Sequence, residues 1–193
     1  MRIVKLDEKS MENILADMLK RDPNNYDSYT QTVQAIVDDV KENRDAAVFS
    51  YTRKFDGAQI DAGNVRVTEE EIAQAMAQVE PGLLNVMKKS MENIRRYHEK
   101  QLRNSWFDAQ PDGTILGQKM TALESVGVYV PGGKAAYPSS VLMNIIPAEV
   151  AGVKRIAMVT PPGKDGSVNP VTLTAAHLAG ATEVYKVGGA QAV

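Results

Sequence analysis

Three short apolar segments of similar make-up stand about 28 residues apart in this chain: Val126-Gly-Val-Tyr-Val130, Arg155-Ile-Ala-Met-Val159 and Glu183-Val-Tyr-Lys-Val187. That spacing leaves room for one crossover helix between successive strands, and two parallel strands cannot be joined by anything much shorter. The pattern predicts a right-handed parallel βαβαβ sheet, with helices near 139–151 and 170–179. Asn169 and Pro170 offer a cap and a first helical position for the second helix, and Gly180 offers a stop. Pro147 predicts a kink or break in the first. Ser139 and Ser140, just after Pro138, read most simply as that helix's cap.

The residues before Val126 follow a different rule. Of the 22 basic and 24 acidic residues, only eight lie from Val126 onward, so a composition boundary falls at 104–126. Upstream, apolar residues recur with the helical period. Met11, Ile14, Leu15, Met18 and Leu19 form one amphipathic face. Val33, Ile36, Val37 and Val40 form another, before Asp45 opens a segment that ends at Phe55-Asp56-Gly57. An extended piece around Val65-Arg66-Val67 precedes Thr68-Glu-Glu-Glu71, which has the spacing of a capping box. Leu83, Leu84, Met87, Met91, Ile94, Tyr97 and Gln101 trace a face of a longer helix beyond Pro81. Between Ser105 and Val126 the period shifts toward two, and Asp112-Gly113 suits the positive φ of a hairpin turn. The fold class is therefore α/β: a helical region with a hairpin over 1–125, then an incomplete Rossmann-like parallel sheet over 126–193.

Composition narrows the chemistry. A net charge of -2 gives no reason to expect a nucleic-acid backbone as partner. No run approaches the roughly 20 apolar residues of a membrane span, and the mixed charges of the first 25 residues are unlike a signal peptide. A cytoplasmic, soluble protein is the expectation. Zero Cys removes thiolate zinc clusters and Cys nucleophiles, leaving His98 and His177 as the imidazoles. His98 sits in a charged helix surface and His177 inside a crossover helix, so both read as structural. No His, Asp or Glu shows metal-ligand spacing, and no metal site is assigned in this chain.

Ligands of open parallel sheets bind beyond the carboxyl ends of the strands. Here those ends read Tyr129-Val-Pro-Gly-Gly133, Thr160-Pro-Pro-Gly163 and Val187-Gly-Gly-Ala-Gln191. A single such turn needs Gly and Pro for geometry alone, but three that converge point to a ligand. The Gly-x-Gly-x-x-Gly fingerprint and its acidic partner some 20 residues later are missing, so the residues alone support a nucleotide- or small-anion-binding α/β domain. Tyr129 either packs on a helix or meets a ligand at the strand mouth. Gln191 either satisfies a loop carbonyl or reads an amide or hydroxyl on a ligand.

The runs Val126-Gly-Val-Tyr-Val-Pro-Gly-Gly133, Ala136-Tyr-Pro-Ser-Ser-Val-Leu-Met143, Pro147-Ala-Glu-Val-Ala-Gly-Val153, Thr160-Pro-Pro162 and Lys186-Val-Gly-Gly-Ala-Gln-Ala192 closely resemble histidinol dehydrogenase. Tyr51-Thr-Arg-Lys-Phe-Asp-Gly57, Val67-Thr-Glu-Glu-Glu71 and Asn93-Ile-Arg-Arg-Tyr-His98 extend the resemblance over nearly the whole chain. It implies a zinc-dependent, NAD-linked homodimeric enzyme that oxidises L-histidinol through L-histidinal to L-histidine, with a pair of incomplete Rossmann-like domains at its core. By position, Tyr129 and Gln191 match family residues that contact NAD.

The family's zinc ligands, its Glu-His general acid/base pair and most substrate contacts fall beyond the residue that matches Val193. No catalytic or metal-ligating residue is therefore assigned here. The chain is expected to be an amino-terminal portion, inactive alone, whose first domain is completed by later sequence. Its apolar faces are then expected to drive self-association or rearrangement. The competing reading is a non-catalytic nucleotide-binding or dimerisation module.

Overall fold

The structure is a computed structural model that describes residues 7, 8, 10, 11, 26–132 and 136–193. The amphipathic helix expected over Met11 to Leu19 lies outside them apart from Met11, as does Gly133 of the first strand-end turn. Helix α1 spans Asp27–Asp56, and Arg44 inside it has a non-helical backbone (φ 52, ψ -133). It is therefore two helices joined at a kink, with the second opening at Asp45 as the sequence implies. Gly57, at φ 72, closes it in the left-handed region that a Cβ disfavours.

Helix α2 (Glu69–Gln78) starts on the predicted capping box: Thr68 Oγ1 accepts from the Glu71 amide and Glu71 Oε2 accepts from the Thr68 amide. Helix α3 (Pro81–Glu99) has Pro81 in its first turn, and the Glu80 carboxylate accepts from the Gly82 and Leu83 amides. Met87 is buried on its inner face, with Leu84, Met91 and Ile94 half-buried beside it. The predicted face runs too far. Tyr97 is 63% exposed, and Gln101 falls past the helix end, where its Oε1 accepts from His98 Nδ1.

Strands β1 (Trp106–Ala109) and β2 (Ile115–Gln118) form the expected antiparallel hairpin, turning at Gly113 with φ 88. The hairpin buries neither face: Trp106, Phe107, Ile115 and Leu116 are all exposed.

Strands β3 (Ser125–Tyr129), β4 (Arg155–Val159) and β5 (Glu183–Tyr185) form a parallel sheet in that order, with Val126 opposite Ile156 and Met158 opposite Val184. The crossovers are α4 (Pro138–Val150) and α5 (Pro170–Ala179). Asn169 caps α5 by accepting from the Val171 and Thr172 amides, and Gly180 ends it at φ 94. Helix α4 is not split at Pro147, which lies in its last turn and forgoes one helical hydrogen bond. The expectation for its cap fails. Ser139 and Ser140 are not its cap: Pro138 opens the helix, Tyr137 stands at the cap position with no side-chain bond, and both serines lie within the first turn.

The strands alternate. Val128, Ile156, Met158 and Val184 are buried under the helices, which pack side by side in the order α2, α5, α4, α3. Ala75, Val79 and Met87 from the helical region belong to the same apolar cluster as Leu142, Ile145, Ile146 and Leu173 from the crossovers. On the opposite face Gly127, Tyr129, Ala157, Val159 and Tyr185 are exposed or half-buried. The extended piece Val65-Arg66-Val67 adds an antiparallel rung along the outer edge of β5, through Val67 N–H to Val184 O and Lys186 N–H to Val65 O. That pairing satisfies an otherwise open edge. The short turn Ala190–Ala192 is a 3-10 turn packed against α1.

Candidate functional site

The three strand-end turns meet at Pro161. A Cβ on Gly132 would stand 2.5 Å from Pro161 Cγ, and a Cβ on Gly188 would stand 2.5 Å from Pro161 Cβ. Only glycine lets the first and third turns close on the second at those distances. Pro161 thus wedges between the backbone of the β3 and β5 turns, and the convergence expected from sequence is a property of the fold.

Tyr129, the last residue of β3, reaches the third turn: the Gly189 amide donates to its hydroxyl at 3.2 Å. The ring is 40% exposed, so Tyr129 is not packed under a helix and keeps an open face beside the turn. Gly189 has φ 66 and ψ -169, a region open essentially to glycine alone. Two residues on, Gln191 is 4% exposed and turned back under that turn, its Oε1 2.5 Å from where a Gly189 Cβ would be. Neither Oε1 nor Nε2 has a hydrogen-bond partner. The structure therefore brings Tyr129 and Gln191 to one turn, with Tyr129 at the surface and Gln191 inside.

Lys186 and Glu71 fasten the start of this turn to the helical region. The Lys186 ammonium is almost wholly buried and donates to Glu71 Oε1, while Glu71 Oε2 completes the α2 capping box. Sequence reading identified the box but not the lysine, because nothing local ties Lys186 to a residue 115 positions away.

A cavity of about 730 Å³ opens beyond the ends of β3 and β4, lined by Gly132, Thr160, Pro161, Lys164 and Thr172 together with Phe55 and Asp56 from the end of α1. Burial raises the Asp56 carboxyl above its ordinary value. A smaller space of about 360 Å³ borders Arg66, His177 and Glu183 at the opposite end of β5, away from the strand ends where such sheets bind ligands. His98 is held by Gln101 and His177 stands in the last turn of α5. Among the described residues no group of three or more His, Cys, Asp or Glu comes together that could hold a metal ion. Nor, among them, is any helix long and apolar enough to cross a membrane.

The histidinol dehydrogenase family model matches residues 19–193. The chain belongs to the histidinol dehydrogenase family. It is 58% identical over 163 residues to the histidinol dehydrogenase of Bacillus subtilis strain 168, a match covering 84% of this chain and 38% of that protein. To the Heliobacterium mobile histidinol dehydrogenase it is 59% identical over 147 residues, covering 76% of this chain and 34% of the relative. A crystal structure of histidinol dehydrogenase from Elizabethkingia anophelis superposes with a TM-score of 0.79 at 36% identity, over 84% of this chain and 37% of that one. The chain thus spans little more than a third of the length of these histidinol dehydrogenases. Its α/β fold is theirs over the shared part.

Proposed function

We propose that this chain carries part of the NAD site of a histidinol dehydrogenase, within a protein that oxidises L-histidinol through L-histidinal to L-histidine. The observation that carries the reading is Gln191: both polar atoms of its side chain are buried without a partner at the junction of three glycine- and proline-built turns. Leaving a buried amide unpaired costs about 1–3 kcal/mol per group, and folds keep such a cost where a ligand or chemistry repays it. A carboxamide offers one acceptor and two donors, which suits the amide or hydroxyl groups of a nicotinamide nucleotide.

When bound, NAD supplies the hydride acceptor for each oxidation. The chain's own residues bind and orient it. Tyr129 presents a half-exposed ring and, through its hydroxyl, holds the Gly189 amide in place. Gly189 lets the turn fold back over Gln191. The Glu71 and Lys186 pair anchors the strand from which that turn leaves. Zinc enters this reading through the family alone, and no step is assigned to it. The same holds for the general acid and base, for cytoplasmic location and for a homodimeric assembly.

The test is complementation. Residues 1–193 joined to the remaining carboxyl-terminal sequence of the Bacillus subtilis relative should restore growth on L-histidinol to a bacterium lacking its own histidinol dehydrogenase. The chain alone should not. Failure of a well-expressed chimera, where the Bacillus subtilis protein itself succeeds, contradicts the reading.

A further inference from the structure

In the usual dinucleotide fold the pyrophosphate turn follows the first strand, and an acidic residue near the end of the second strand takes the ribose hydroxyls. Here the second strand of the sheet, β4, ends at Val159 and is followed by Thr160-Pro-Pro-Gly163. The carboxylate of that loop, Asp165, is spent on Ser167, whose amide and hydroxyl both donate to its Oδ1, and it lines a different cavity. The fold brings another from elsewhere: α1 ends at Asp56, beside the loop that leaves β4. The two segments touch, since Lys164 Cγ lies 3.6 Å from where a Gly57 Cβ would be.

Asp56 borders the 730 Å³ cavity at those strand ends. Its Oδ2 is buried and makes no hydrogen bond or ion pair among the described residues. The shift of its carboxyl has one cause, burial, with no partner to offset it. An ionised carboxylate is acceptor-only and calls for donors. Thr160, Lys164, Ser167, Asn169 and Thr172 share that cavity wall, yet none of them bonds Asp56 Oδ2, and Lys164 forms no ion pair with it. Phe55, next in chain, is 53% exposed on the same wall and is held parallel to Tyr51 with ring centroids 5.7 Å apart. A fixed aromatic face beside an unpaired carboxylate is the pairing that an adenosine needs, the ring for the base and the acid for the sugar diol. The cavity is of a size that holds a ligand of that class.

We propose that Asp56 is the ribose-binding carboxylate of this chain, accepting from the vicinal hydroxyls of the adenosine half of NAD and excluding NADP. The assignment rests on the NAD reading above for the identity of the dinucleotide, but its chemistry is that of the sugar diol. A 2′-phosphate in the same place removes one donor and sets its negative charges against the Asp56 carboxylate.

Calorimetric titrations of the 193-residue chain with NAD, NADP and adenosine, in the wild type, Asp56→Asn and Gln191→Ala, decide it. The wild type should prefer NAD over NADP by about tenfold or more, the size expected for hydrogen bonds to a charged group. Asp56→Asn should weaken NAD and adenosine by a similar factor and bring NAD and NADP within about threefold of each other. Gln191→Ala should leave adenosine binding unchanged. Adenosine that depends on Asp56, with NAD indifferent to Gln191, leaves this assignment standing and removes the NAD reading. Equal adenosine affinity in wild type and Asp56→Asn, an unchanged NAD to NADP ratio, or no saturable adenosine binding overturns it. Circular dichroism of Asp56→Asn separates lost binding from lost fold.

Discussion

The hydroxyl of Tyr129 accepts a hydrogen bond from the Gly189 amide at 3.2 Å, tying the end of β3 to the turn after β5 across the intervening strand. Between them sits Pro161, against which neither Gly132 nor Gly188 has room for a side chain. The site is therefore a junction of backbone turns, and its side chains act by holding those turns or by waiting beneath them.

That geometry orders a glycine series. Gly188→Ala places a Cβ 2.5 Å from Pro161 Cβ, and Gly189→Ala forces a side chain into a glycine-only conformation against Gln191. Each should lower stability by about 1–3 kcal/mol. Gly127→Ala, in the open face of β3 with nothing within 4 Å, should not. Urea unfolding midpoints test the order, and a Gly127 variant that falls with the others contradicts it.

The Glu71 and Lys186 pair should be asymmetric. Glu71→Ala strips the buried Lys186 ammonium of its partner and also breaks the α2 capping box; a cost of about 3 kcal/mol or more is expected. Lys186→Met fills the same space with an apolar chain and leaves Glu71, a third exposed, to its cap and to water. Its cost should be under about 1 kcal/mol. Equal losses in chemical denaturation argue against a buried charge as the cause.

Acid should act through Glu183. Its carboxyl is held at about 2, below its ordinary 4.5, first by the hydrogen bonds from Arg155 and next by that from Tyr185. The folded value lies below the unfolded one, so this stabilisation is complete above the ordinary value and is lost as the pH falls toward about 2. Arg155→Gln should flatten that part of the profile. Thermal unfolding followed from pH ~5 to ~2 checks it, and identical slopes in the two proteins would count against the pair.

Asp56 should have the opposite sign. Burial raises its carboxyl, so the ionised form works against the fold at neutral pH. Asp56→Asn should raise the unfolding midpoint there, and the gain should fade as the pH drops below the carboxylate range, where both states of the wild type are protonated. A lower midpoint for Asp56→Asn at neutral pH would show instead that the carboxylate has a stabilising partner.

What sequence revealed follows from range. The capping box at Thr68 and Glu71, the cap and stop at Asn169 and Gly180, and the hairpin turn at Gly113 each depend on neighbours a few residues away, and each was legible. The strand spacing exposed the parallel sheet because a crossover helix has a fixed length. Pro147 leaves α4 unsplit because less than a full turn of helix follows it. Tyr97 misled because the helical period says where a face points but not where its neighbours end. Tyr129 and Gln191 stood out only as strand-end residues and through family resemblance; that one is surface and the other buried came from how the turn folds back at Gly189. Lys186 and Asp56 gave no local signal, since each is defined by a segment more than a hundred residues away.

The most direct test of the central claim is a calorimetric titration of the chain with NAD, comparing the wild type with Gln191→Ala and Tyr129→Phe. Saturable binding that Gln191→Ala weakens by about tenfold, with a smaller loss in Tyr129→Phe and unchanged circular dichroism in both, is the predicted result. Binding of equal strength in all three proteins, or no binding by the folded wild type, would contradict a cofactor site built on the junction of these turns.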